Sequence, residues 1–365
     1  MDEARVKAAV GRIEGYRRGF EVAFAEYFAG LVAAGVEGPG GSRYPRECVE
    51  LLRDLSLRGG KRLRVALVYE AARLVTEEDV AGLAEAALSV ELMQTYGLVH
   101  DDIIDDSSVR RGGPSTYYAY RERFPGQERK ALGLAVLAGD LAWTLALRVL
   151  AEGKADPEVR MAMLQVQLRA GQDAVVGQLT DLERDTHPLP SRALLDAVTE
   201  FKSTRYSILA PLRFGLLAAG EDLDRYDERL RRYASLVGRY EQMRDDYLDL
   251  FADQAALGKS AGADLRAGRR TYVVCAILEA ATAAEQAEVE AALADPHGTA
   301  ETIARVREIA QRHGVDARLR AEMRRIAEAA SAEAGTWRGQ WRGQWREEAV
   351  GFFELLPLWS VDRTR

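Results

Sequence analysis

Two groups of aspartates share one spacing. Asp101, Asp102 and Asp105 stand in HDDIIDD, and Asp245, Asp246 and Asp249 stand in RDDYLDL. Each group follows the pattern i, i+1, i+4. On a helix, residues three and four apart lie on one face, so the spacing predicts that the carboxylates of each group converge. Converging carboxylates repel one another unless a hard cation sits among them. Magnesium takes oxygen ligands and is usually held by one or two carboxylates together with substrate phosphates. Two such groups, facing each other, predict several magnesium ions gripping a diphosphate. A single acidic group on a helix is more often a solvated face. Here the repeated geometry, and the apolar run Tyr96–Val99 ahead of the first group, favour the metal reading.

Basic residues flank both groups: Lys61, Arg62 and Arg64 in GGKRLR, Arg110 and Arg111 in RRGG, and Lys259, Arg269 and Arg270 in GKSAGADLRAGRR. Arginine offers phosphate a bidentate fork, and lysine a compact charge. The glycines beside them let backbone N–H groups approach an anion. Gly258-Lys259-Ser260 looks like the end of a P-loop, but Asp253 occupies the position where that motif needs glycine, so ATP binding is not expected there.

The elements that must position these groups read as helix nearly throughout, because Ala, Leu, Glu and Arg dominate. Helices are expected over 4–34, 47–57, 61–76, 81–105, 128–151, 158–182, 192–219 and 226–251, with further helices to about 349. The segment 81–105 is apolar on almost every face, which predicts a helix buried in the centre of a bundle, with the first aspartate group at its end. No run of strict alternation marks a strand. Trp337, Trp341 and Trp345 recur every fourth residue in WRGQWRGQW. That stripe predicts a helix packing its tryptophans on the bundle or on a second subunit, with a membrane-surface or lid role as the rival.

Bulk properties narrow the function. The chain has 365 residues, 47% of them hydrophobic, which supports a substantial core. A net charge of −7 argues against nucleic-acid binding. Cys48 and Cys275 give neither a disulfide framework nor a zinc pattern, as in a reducing compartment. The N-terminal residues are charged early and lack an apolar stretch, and no uninterrupted apolar run reaches membrane-spanning length. The expectation is a cytoplasmic protein without a transmembrane segment. No Pro/Gly/Ser linker divides the chain, so one domain over 1–365 is expected, ending in a helical segment (331–365) that carries the tryptophans.

These motifs together resemble the trans-isoprenyl diphosphate synthases of the polyprenyl synthetase family. The resemblance runs from GGKRLR at 59–64 through ELMQTYGLVHDDIIDDSSVRRGGPS, LAGD at 137–140, GQLTD at 177–181, FKSTRYS at 201–207 and EQMRDDYLD at 241–249 to GRRT at 268–271. It implies an all-α, single-domain helical bundle around a central apolar cavity. It also implies Mg²⁺-dependent head-to-tail (1′-4) condensation of isopentenyl diphosphate with an allylic diphosphate, with three magnesium ions once diphosphate is bound, and a homodimer. By the same resemblance Asp101, Asp102, Asp105, Asp245, Asp246 and Asp249 hold the metal. Arg110, Lys202 and Lys259 bind the allylic diphosphate. Lys61, Arg64, Gln94 and Arg111 bind isopentenyl diphosphate. Lys202 and Gln242 lie near the reacting carbon, and Gln178 and Asp181 match the GQxxD signature.

The chain departs from the family pattern in three places. Glu241 precedes Gln242 where phenylalanine is usual, Ser203 or Thr204 must supply a hydroxyl, and Arg269 replaces lysine. Product length is expected to depend on Tyr96. It lies five residues before Asp101, about 7.5 Å along a helix axis, where a large ring can block the floor of a tunnel while Gly97 leaves room. An aromatic there resembles short-chain synthases, giving geranylgeranyl (C20) or farnesyl (C15) diphosphate. Two rivals are a class I terpene cyclase and a non-catalytic partner subunit. A full second DDxxD and GGKRLR speak against the first, and two intact aspartate groups against the second.

Overall fold

Helix-forming sequence folds as helix wherever the pattern was strong, and the all-α expectation holds. The computed structural model describes residues 3–34, 39–186, 189–252, 262–293, 295, 297–341 and 343–361. Lys259 and the Gly258-Lys259-Ser260 segment lie outside the described residues. The chain packs as two compact units, one of residues 1–171 with 210–224 and the other of 172–209 with 225–365.

In the first unit the helix Leu83–Ile104 packs along Glu128–Ala151. Alanines make the close approach possible: Ala87, Ala135, Ala138, Ala142 and Ala146 are fully buried in one core with Leu52, Val65 and Phe24. Ser89 adds a hydroxyl that donates to the Ala146 carbonyl at 2.8 Å. Glu128–Ala151 is long and apolar enough to cross a membrane, by length and composition only. Asp140 interrupts it, and its alanine row belongs to the core just described. The loop expected after the first aspartate group contains a two-residue hairpin, Val109–Arg110 against Gly113–Pro114, and then the helix Thr116–Arg123, which was not foreseen. Ser115 caps that helix by accepting from Tyr118 N at 3.3 Å, which satisfies one of its orphan donors.

The second unit is built on Asp227–Phe251, which buries Leu230, Tyr233, Val237 and Tyr240 and packs against Val315–Gln340 and Glu347–Val361. The last helix extends beyond the expected end near 349, to Val361. The tryptophans pack, as the first of the two readings held, but not as one helical stripe. Val315–Gln340 ends before Trp341, and the chain turns back to place Trp345 over Tyr226 (4.8 Å between ring centroids). All three indoles are buried against Tyr226, Tyr233 and Phe353.

The segment expected as one helix over 192–219 has three parts. Arg192–Thr199 is α-helical, Glu200–Leu209 is π-helical, and Ala210–Ala218 is α-helical again. Hydroxyls favour the wide turn. Ser203 and Thr204 both donate to the Thr199 carbonyl (3.2 and 3.1 Å), and Ser207 donates to that of Ser203 (2.7 Å). Such side chains compete with the regular ladder, and π-turns are frequent at functional sites.

Candidate active site

In the first unit the aspartates occupy the C-terminal end of Leu83–Ile104, with Asp105 as its cap. The three are not equally exposed. Asp102 points inward and is fully buried, while Asp101 and Asp105 are half-buried. Position i+1 lies a third of a turn from i, which is far enough to put it on the inner face. Asp102 Oδ1 is paired with the Arg110 guanidinium at 2.5 Å, and its Oδ2 is buried with no hydrogen-bond partner among the described residues. Burial raises the Asp102 pKa above its ordinary value, Arg110 opposes this, and the charges of Asp101 and Asp105 add to the rise.

Arg110 and Arg111 sit on the hairpin, which Arg58 holds by donating to the carbonyls of Arg110 (3.2 Å) and Pro114 (2.7 Å). A Cβ at Gly113 would lie 2.6 Å from that guanidinium. Gly113→Ala is therefore expected to displace Arg58 and, for the diphosphate substrate that the sequence resemblance implies, to raise KM about tenfold, with the helical circular dichroism signal unchanged. Steady-state kinetics checks this.

Burial depresses the Arg111 pKa, and the guanidiniums of Arg62, Arg64 and Arg110 push the same way against Glu91. Positive charge thus collects here in excess, as an anion site requires. Arg62 is a correction to the sequence reading. It is 3% exposed, pairs with Glu91 at 2.5 Å and donates to the Ser56 carbonyl at 2.6 Å, so its role is to hold the GGKRLR loop. Lys61 is exposed, and Arg64 and Gln94 are half-buried. Tyr96 stands between His100 (4.9 Å) and Trp143 (5.6 Å), and the position of a Cβ on Gly97 has nothing within 4 Å.

In the second unit a cavity of about 180 Å³ is lined by Asp181, Lys202, Ser203, Gln242, Asp245, Asp246 and Asp249, and also by Arg184, Asp264, Arg269 and Tyr272. Lys202 comes from the π-turn and donates to Asp181 Oδ2 at 2.6 Å, and Asp181 also pairs with Arg184 at 2.6 Å. Asp246 repeats the inward position of Asp102. It accepts from Gln242 Nε2 (2.8 Å) and Tyr272 N (3.1 Å). Burial first, and then the Asp264 charge, push its pKa well above the ordinary carboxylate range. Asp249 is buried and accepts from Asp264 N at 3.0 Å, which fixes the start of the 262–266 turn. Asp245 is the outward member, with its side chain 67% exposed.

Both Ser203 and Thr204 donate to the Thr199 carbonyl, but Ser203 lines the cavity and Thr204 is buried away from it. Arg269 lies 3.7 Å from Asp264. Arg184, Asp264 and Tyr272 were missed by sequence reasoning. The i, i+3 pair Asp181–Arg184 was the signal available for the first of them.

Among the described residues no three His, Cys, Asp or Glu side chains gather closely enough to hold an ion unaided. That suits magnesium, which draws further ligands from phosphate and water. The all-oxygen donor set and the unpartnered buried Oδ2 of Asp102 fit a hard cation.

The comparisons agree with the motif order. Residues 45–310 match the polyprenyl synthetase family model. The chain belongs to the polyprenyl synthetase family. It is 32% identical over 222 residues to a short chain isoprenyl diphosphate synthase of Methanocaldococcus jannaschii, covering 61% of this chain and 63% of that enzyme. It is 35% identical over 241 residues to the farnesyl diphosphate synthase of Escherichia coli, covering 64% and 76%. The crystal structure of geranylgeranyl pyrophosphate synthase from Corynebacterium glutamicum, complexed with isoprenyl diphosphate and magnesium, superposes with a TM-score of 0.80 at 26% identity over 100% of both chains. The alignment thus spans under two thirds of the Methanocaldococcus enzyme's length. The resemblance read from the motifs is borne out at the level of the family.

Proposed function

We propose that this polyprenyl synthetase family member condenses isopentenyl diphosphate with an allylic diphosphate, head to tail, to give a short all-trans prenyl diphosphate. Residues 1–365 act as a single synthase domain in this reading. The observation that carries it is the second-unit cavity, where Asp245, Asp246, Asp249 and Asp264 face Lys202, Arg184 and Arg269. Alternating carboxylates and cations around a small polar cavity suit a diphosphate with its counter-cations. The relatives named as farnesyl and short-chain synthases support the same chemistry.

The groups divide the work. Asp101, Asp102 and Asp105, and Asp245, Asp246 and Asp249, would hold magnesium, three ions with the diphosphate bound. When present, those ions supply positive charge to the departing diphosphate. Arg110, Lys202 and Lys259 bind the allylic diphosphate, and preorganised cations aimed at a leaving group lower the barrier without reorganising. Lys61, Arg64, Gln94 and Arg111 orient isopentenyl diphosphate. Gln242 and Lys202 border the reacting carbon. Water must be kept from the cationic carbon, which it would quench.

Tyr96 sets product length, with geranylgeranyl diphosphate favoured and farnesyl diphosphate as the alternative. Its ring, wedged between His100 and Trp143, supports a floor. Tyr96→Ala is expected to lengthen the main product by at least one isoprene unit. Mass spectrometry of the products checks this, and unchanged length removes Tyr96 from the account.

The chain acts as a homodimer in this reading. Met161, Leu168, Val175, Leu179 and Leu182 form an exposed apolar stripe on Pro157–Arg184, which supports self-association. In this reading the enzyme is cytoplasmic, and the buried alanine row of Glu128–Ala151 suits a helix packed within the bundle. The first test is elongation of an allylic diphosphate in the presence of Mg²⁺.

A further inference from the structure

Glu241 stands where the family pattern has an apolar residue, and the structure gives it a different task. It is not among the residues lining the second-unit cavity. Its carboxylate accepts from Ser360 Oγ and pairs with Arg244 at 2.8 Å. Arg244 is 3% exposed, and its guanidinium donates to the Ser360 carbonyl (2.8 Å), Ser360 Oγ (3.0 Å) and Asp245 Oδ1 (3.3 Å). Ser360 is fully buried, at the penultimate position of Glu347–Val361. Farther along the same pair of helices, Tyr233 donates to the Phe353 carbonyl at 3.0 Å.

We infer that Glu241, Arg244 and Ser360 form a latch through which the C-terminal helix sets the direction of the Asp245 carboxylate. A guanidinium is a rigid planar fork. Once Glu241 and Ser360 fix one side of it, the N–H aimed at Asp245 is fixed as well. The Asp245 side chain is largely exposed, and the Arg244 N–H is one of the contacts that orient it. A buried arginine also needs an anion, and Glu241 supplies one that is not a member of the aspartate cluster. With an apolar residue at 241, Arg244 would lean harder on Asp245 and compete with an arriving cation. The three are positioning residues. The consequence for cation binding rests on the proposed function, but the latch itself does not.

Hydrogen exchange tests the latch directly. In Arg244→Met, residues 241–249 and 347–361 are expected to lose protection together, while Leu83–Ile104 keeps its own. Unchanged exchange in either segment overturns the latch. If Arg244→Met fails to fold, Ser360→Ala, which removes one hydroxyl, takes its place. Calorimetry with inorganic diphosphate and varied Mg²⁺ tests the consequence. The Mg²⁺ concentration for half-maximal binding is expected to rise about tenfold in Arg244→Met and Glu241→Phe. Glu241→Gln, which can still accept from Ser360, is expected to restore most of the affinity. An equal Mg²⁺ requirement in wild type and Arg244→Met overturns the positioning role. If wild-type protein does not bind inorganic diphosphate, the functional reading fails instead, and the exchange result decides the latch alone.

Discussion

Replacing Asp102 with Ala is expected to lower kcat/KM for condensation on the order of 10³-fold while the protein stays folded. The structure gives the reason. Asp102 is fully buried, one oxygen is held by Arg110, and the other has no hydrogen-bond partner among the described residues. A buried carboxylate oxygen left in that state costs free energy unless a cation reaches it. The alanine variant loses that cation ligand and releases Arg110. Because Arg110 is 31% exposed, water can solvate it, and the loss of stability should be small beside the loss of activity. Asp102→Asn is the sharper variant. Its amide oxygen can still accept from Arg110, but the negative charge is gone. Steady-state kinetics of both variants, with thermal midpoints as the control, checks the prediction. An asparagine variant near wild-type rate would mean that Asp102 only orients Arg110.

The second large effect is expected at Gly177. A Cβ there would lie 2.1 Å from the backbone nitrogen of Lys202 and 2.5 Å from its Cα. The obstacle is backbone, so no rotamer change relieves it. Gly177→Ala must push the π-turn away from Pro157–Arg184 and carry Lys202 off Asp181. The packing cost is on the order of 3 kcal/mol. A misplacement of about 1 Å at a reacting site costs roughly 10²-fold in rate. Both a lowered thermal midpoint and a lowered kcat are therefore expected, and Gly177→Ser should behave the same way. A variant with wild-type kcat would show that the close approach does not set the lysine.

These two residues mark what the sequence made legible. The order of motifs disclosed the family, and the periodic segments disclosed the helices, because both are properties of short stretches of chain. Asp102, Lys202 and Gln242 could be named from their motifs alone. What an aspartate faces could not. The spacing i, i+1, i+4 does not say which member turns inward; i+1 is rotated about 100° from i, and that rotation sends Asp102 and Asp246 inward. Arg62 looked like one more phosphate-binding cation, but only the structure brings Glu91 to it from another helix. Asp264 and Tyr272 belong to the cavity through long-range packing, which leaves no local pattern. The π-turn was hidden for a related reason. Its hydroxyl-rich run FKSTRYS permits a wide turn, but tertiary contacts at Gly177 and Gly238 select it.

The central claim is condensation of two diphosphates, and a product assay tests it most directly. The purified protein is incubated with Mg²⁺, isopentenyl diphosphate and, in turn, dimethylallyl, geranyl or farnesyl diphosphate, and the products are sized by mass spectrometry. The account predicts elongated prenyl diphosphates that end at C20. A hydrocarbon or alcohol formed from the allylic diphosphate alone, with isopentenyl diphosphate left unconsumed, would contradict it.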